Sequence, residues 1–177
     1  MRAHFVILAT LLMSTPAVAA DTPASRQEPA HQHGAATLQV SLDGRVLQIA
    51  LDGPADNVLG FEHAPRTDAQ KKAVARAEQQ LKQPLQLFET PAAAQCEAQP
   101  AQVEMKLPAA GSGETHADVE AEWRWECGKP DALTHIDASG LFKAFSRLKQ
   151  LKAQLVTAQG QKTATLKPGA ARLKVAP

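Results

Sequence analysis

Beyond its first twenty residues the sequence has no long apolar run, and it has no excess of either charge and only two cysteines. Each shortage excludes something. Crossing a bilayer takes about 20 consecutive apolar residues, and the one apolar run, residues 5–13, is far shorter, so no transmembrane anchor is expected. With Arg2 before it and Ala17-Val18-Ala19 after it, that run has the form of a secretory signal. Residues 1–20 are therefore expected to be cleaved, leaving a mature chain that begins at Ala20 or Asp21. No cysteine stands at that point to carry a lipid. The 177-residue chain has 19 basic and 18 acidic residues, and removing the signal takes away Arg2 and no acid. A neutral exported chain offers nucleic acid no electrostatic footprint.

Common catalytic signatures are missing as well. There is no Gly-x-Ser-x-Gly elbow, no His-Glu-x-x-His helix, no phosphate-binding glycine loop and no Cys-x-x-Cys redox pair. Carboxylates are plentiful, but along a strand they are usually a solvated face, and the chain is expected not to be an enzyme. Cys96 and Cys127 are the only cysteines, and in an oxidising compartment a lone pair is expected to bridge. The alternative, two thiolates on a metal, usually uses a tight pair. A bridge closing this loop contributes roughly 3–4 kcal/mol.

The roughly 157 residues left after cleavage are one ordinary domain's worth, enough to build its own core. A flexible leader is expected over 21–30 and a single domain over 31–177. Two apolar-alternating runs, 37–42 and 45–51, flank Asp43-Gly44, a hairpin turn signal. Centring the turn there pairs Leu42 with Arg45, Val40 with Leu47 and Leu38 with Ile49, and puts Gln39 and Gln48 on the other face. Residues 55–65 read as a loop. Thr67 and Gln70 form a capping box for a helix that ends before Pro84, with Ala73, Val74, Ala77 and Leu81 as its apolar stripe.

Leu85, Leu87 and Phe88 are expected to pack in a short irregular piece, and Val103, Met105 and Leu107 alternate in a strand. From His116 to Cys127 the alternation is nearly unbroken, with Trp123 and Trp125 on the apolar face as core. Leu141, Phe142, Phe145 and Leu148 have helical spacing. A second hairpin turning at Gln159-Gly160 pairs Leu155 with Ala164 and Ala153 with Leu166, and Ala171, Leu173 and Val175 make a last strand. The expected fold is α+β, a mainly antiparallel sheet built from two hairpins and further strands, with two amphipathic helices and one disulfide.

Histidine carries the remaining chemistry. His31 and His33 lie two residues apart, which puts both imidazoles on one side of an extended segment. Imidazole is the commonest metal ligand, and two supply half of a tetrahedral zinc shell; the alternative is ordinary surface. His63 precedes the Thr67 cap, where the helix N-terminus disfavours protonation and leaves a nitrogen lone pair available, though the same field disfavours a cation. Phe61 is expected to anchor this loop in the core and aim Glu62 and His63 outward; a plain helix entry is the alternative. His116 and Asp118 share the polar face of the long strand as a further imidazole–carboxylate pair, or as solvated surface. His135 has no partner nearby in sequence and reads as surface. After Asp137 there are no acids and eight Lys or Arg, whereas the long strand is acidic. These segments are expected to be neighbours whose charges compensate across the sheet. The other reading is a basic face for anionic lipid or a partner protein.

Several segments come in one order: His31-Gln32-His33-Gly34, the 38–51 hairpin, Pro54-Ala55-Asp56-Asn57, Gly60-Phe61-Glu62-His63-Ala64-Pro65, and His116-Ala117-Asp118-Val119 leading to Cys127. This ordered set resembles the ZrgA-like family of zinc-regulated periplasmic proteins over nearly all of the mature chain. The resemblance implies a periplasmic zinc-binding accessory protein that assists zinc acquisition or buffering, working alongside a zinc ABC importer. It makes His31 and His33 ligands, with His63 and His116 as further candidates. Some family members carry a long His- and Asp-rich insertion before the last of these segments, whereas residues 108–115 here hold no histidine. One or two discrete sites are expected, not a large-capacity store. The competing reading is an envelope interaction or scaffold module with incidental histidines.

Overall fold

A computed structural model describes residues 32–175. The signal, the leader, His31 and residues 176–177 lie outside the described residues. Strands β1 (Ala35–Asp43) and β2 (Val46–Pro54) form the expected hairpin, but its turn is one residue later than Asp43-Gly44 suggests. Val40 pairs with Ile49, Leu38 with Leu51 and Leu42 with Leu47, so the central turn residues are Gly44 and Arg45. Gly44 takes the positive φ, 54°, at the first of them. The two-position slip leaves every side chain on its expected face, because the strand period is two, and it exchanges the Leu42–Arg45 pair for an apolar one. Gln48 lies opposite Ser41 and not beside Gln39.

Two short helices interrupt what reads as loop and irregular chain. α1 (Asp56–Leu59) follows β2 directly, and α3 (Pro84–Leu87) follows α2 (Asp68–Leu81). α2 begins with the expected capping box: Thr67 Oγ1 accepts from the Gln70 N–H, and Gln70 Oε1 accepts from the Thr67 N–H. Leu87 and Phe88 are buried as expected, whereas Leu85 is 70% exposed, since one turn of helix cannot turn all three inward.

The remaining strands are β3 (Cys96–Ala98), β4 (Gln102–Lys106), β5 (Asp118–Cys127), β6 (His135–Asp137), β7 (Gln150–Thr157), β8 (Gly160–Leu166) and β9 (Arg172–Lys174). The main sheet has seven strands in the order β3-β5-β2-β1-β7-β8, with β4 beside β3 on the same edge of β5. All its pairings are antiparallel except β1 with β7. β6 and β9 make a separate two-stranded sheet. The second hairpin also slips by two, pairing Ala153 with Ala164 and Leu151 with Leu166 around Ala158-Gln159. Thr157 Oγ1 accepts from the Gln159 N–H there, which fixes the turn one residue earlier than Gln159-Gly160.

One face of the main sheet carries the core and the other faces solvent. Trp123 and Trp125 are buried there against Phe88, which meets both rings edge-on at 4.9 and 5.9 Å. Ala77 and Leu81 of α2 and Leu141 and Phe142 of α4 (Ser139–Ala144) close the same layer. A Cβ on Gly140 would lie 2.0 Å from the Gln86 carbonyl oxygen, so only glycine lets α4 approach α3 this closely. The Cys96–Cys127 disulfide links directly opposed residues of β3 and β5. The fold is α+β and mostly antiparallel, as the sequence pattern implies. The expected charge compensation is not what the topology produces. β1 and β2 separate the acidic strand β5 from the basic pair β7 and β8, because β7 joins the sheet through a parallel pairing that local pattern does not reveal.

Candidate metal-binding end of the sheet

The start of β1, the end of β2 and the start of β5 lie at one end of the main sheet. Thr37 pairs with Asp52, and Pro54 pairs with Asp118. Beyond the last pair the Ala55 N–H donates to the Ala117 oxygen at 2.8 Å. His33 precedes β1, His63 follows α1 and His116 precedes β5, so three histidines far apart in sequence reach the same end.

His33 and Glu62 meet there, Nε2 to Oε1 at 3.1 Å. The imidazole is 61% exposed and the carboxylate 18% exposed. Glu62 Oε1 is shielded from solvent and, apart from this contact with His33, has no hydrogen-bond partner among the described residues. Glu62 thus turns inward, against the expectation that it points out. Phe61 is half-buried and not in the core; its ring stacks on His63 with centroids 5.1 Å apart. His63 Nδ1 lies 2.9 Å from the Ala64 oxygen. A carbonyl only accepts, so Nδ1 is the donor and the neutral ring keeps its lone pair on Nε2, which lies 3.5 Å from the Gln70 amide nitrogen.

His116 is exposed and Asp118 half-buried. Between the 61–66 loop and the 108–115 loop lies an open cleft of roughly 530 Å³, lined among others by Glu62, His63, Arg66 and Glu114. Among the described residues no three His, Cys, Asp or Glu side chains form a group able to hold a metal ion. The structure therefore joins His33 with Glu62, sets His63 beside Glu62 in the same loop and leaves His116 before β5 at the same end of the sheet, and His31 lies outside the described residues. His135 is on β6 and its Nδ1 has Thr134 Oγ1 as a partner at 3.0 Å.

The residues that sequence reasoning missed lie just behind this end. Asp56 and Asn57 are the buried polar residues of the described chain, 6% and 3% exposed. Arg147 clasps Asp56, with Nη2 2.8 Å from both carboxylate oxygens and Nε 3.1 Å from the Asp56 carbonyl oxygen. The Asn57 amide accepts from the Gly34 N–H at 2.7 Å and donates to the Ala35 oxygen at 2.8 Å. The signal available in the sequence was a strand-ending Gly53-Pro54 followed, after Ala55, by the polar pair Asp56-Asn57.

A small disulfide-bridged α+β protein with imidazole and carboxylate groups gathered at one end of its sheet is the class these features define. The profile of the ZrgA family zinc uptake proteins matches residues 30–175, and the chain belongs to that family. None of the curated proteins compared with the chain matches it. The family description names uptake of zinc, not catalysis.

Proposed function

We propose that the protein is a periplasmic accessory that captures zinc and assists its uptake, binding the ion at the end of the sheet where β1, β2 and β5 meet. His33 and Glu62 are the centre of the site, His63 and His116 are the neighbouring imidazoles, and His31 supplies another ligand from two residues before His33. The supporting observation is the His33–Glu62 contact at 3.1 Å in a member of a zinc uptake family. A carboxylate oxygen shielded from solvent needs a compensating donor or charge, and a divalent cation held between it and His33 would supply one. Zinc takes such nitrogen and oxygen donors at about 2.0–2.2 Å, which sets two ligands of a tetrahedral shell about 3.4 Å apart, so the pair at 3.1 Å needs to open only slightly to admit the ion.

The secretory signal pattern and the structural disulfide support an oxidising, exported location, and they remove thiolates from the ligand set. An exposed site suits transfer of the ion to the binding component of a zinc ABC importer. Calorimetric zinc titration of the mature protein tests the reading. Micromolar or tighter binding is expected, weakened at least tenfold in the His31→Ala/His33→Ala double variant and in Glu62→Gln. Unchanged affinity in both sinks the site assignment. No zinc binding by the wild type would favour an envelope interaction module.

A further inference from the structure

Three features behind His33 and Glu62 act on the geometry of the pair. The Asn57 amide bonds the Gly34 N–H and the Ala35 oxygen, backbone groups of the two residues that follow His33. From the other side the Gly34 oxygen accepts from the Lys149 and Gln150 N–H groups at 2.7 and 2.9 Å, at the entry to β7. Arg147 holds α1 through the Asp56 carboxylate and carbonyl oxygen, and its side chain passes beside Gly60, where α1 ends and the chain runs on to Glu62.

Both halves of the His33–Glu62 pair therefore hang from α1. One is tied to it by the Asn57 side chain and the other is its covalent continuation. Burying a carboxylate and a carboxamide is unfavourable unless each is fully bonded. Here both are bonded, and neither serves the main apolar layer. Resting on the proposed zinc site, we infer that Asn57 and Arg147 are positioning residues for metal capture: they hold His33 and Glu62 at a fixed separation so that zinc binds a preformed pair. Partners of this kind behind metal ligands are generally worth 10–100-fold in affinity.

The test uses the full mature chain. Asn57→Ala and Arg147→Lys are compared with His33→Ala in zinc titrations, and in visible spectra after loading with Co²⁺, whose band positions report ligand geometry. Arg147→Lys keeps the charge and loses the two-pronged clasp. In variants whose far-UV spectrum and disulfide match the wild type, zinc affinity should fall 10–100-fold and the Co²⁺ bands should move. A large loss in His33→Ala with wild-type affinity and bands in both Asn57→Ala and Arg147→Lys overturns the positioning role alone. Wild-type affinity in His33→Ala overturns the site and this role with it. Should neither positioning variant fold, wild-type protein decides: saturating zinc should slow hydrogen exchange of the Gly34 amide several-fold relative to the Leu155 amide. Indifference of the Gly34 amide to zinc overturns the inference.

Discussion

Trp123 joins two parts of the fold through one atom. Its indole Nε1 donates to the Leu81 oxygen at 2.7 Å, and Leu81 is the last residue of α2, where carbonyls have no helical partner. The ring fills the core while the N–H closes the helix end. Replacing it with Phe keeps most of the volume and leaves that buried carbonyl unsatisfied, so Trp123→Phe should cost about 1–3 kcal/mol. Urea unfolding measures the loss, and faster hydrogen exchange in the last turn of α2 would locate it. At this scale the sequence is legible where chemistry is rare and oriented. Alternation put both tryptophans inward, and histidine is scarce enough that His33, His63 and His116 stand out. Asp56, Asn57 and Arg147 were not legible, because whether a polar side chain is buried depends on what folds over it. Their partners lie up to 91 positions away in the chain.

Among the elements, those with their own turn or cap chemistry were readable and those completed by distant chain were not. The α2 capping box and both hairpins follow from local sequence, and even the hairpin slips kept the apolar faces, since a shift by two positions preserves them. By contrast β6 has three residues, too few for periodicity to register, and exists because it pairs with β9, the last strand, which the alternation of Ala171, Leu173 and Val175 does predict. Their junction is held by Asp137. Its Oδ1 accepts from the Ser139 N–H at 2.9 Å and from the Ser139 hydroxyl, and Arg172 Nη2 lies 3.4 Å from Oδ2. These bonds, the Ser139 hydroxyl foremost, lower the Asp137 pKa below its ordinary value. A carboxylate with a depressed folded-state pKa contributes stability that is present above the ordinary aspartate value, about 4, and is lost as pH falls through the depressed one. Stability should therefore drop on acidification below about pH 4, with a shallower dependence in Asp137→Asn. At neutral pH that variant should be less stable by about 1 kcal/mol. Urea midpoints between pH 2 and 7 check both; equal slopes for the two proteins would remove Asp137 from the account.

Taken as a whole, the molecule has two working ends. β5 runs from Asp118, beside the proposed zinc site, to Cys127, whose N–H donates to the Arg45 oxygen at the far turn of the first hairpin. At about 3.4 Å per residue the bridge and the site lie roughly 30 Å apart. The disulfide acts on the unfolded chain, by restricting a loop between residues separated by 31 positions, and for such a loop contributes about 3–4 kcal/mol. Zinc at the proposed site would act on the folded chain only, adding stability in proportion to the logarithm of its concentration over Kd. Groups that far apart with no shared partner should contribute additively. The Cys96→Ala/Cys127→Ala variant is thus expected to lose about 3–4 kcal/mol of stability and to keep the wild-type zinc affinity in its folded fraction. A given zinc excess should then add the same stabilisation to both proteins. Urea unfolding of each, with and without zinc, supplies the four measurements needed. A zinc increment that shrinks when the bridge is removed would mean that the sheet transmits strain from Cys127 to the β5 entry, and that the site is not the rigid, locally held unit its α1 clasp implies.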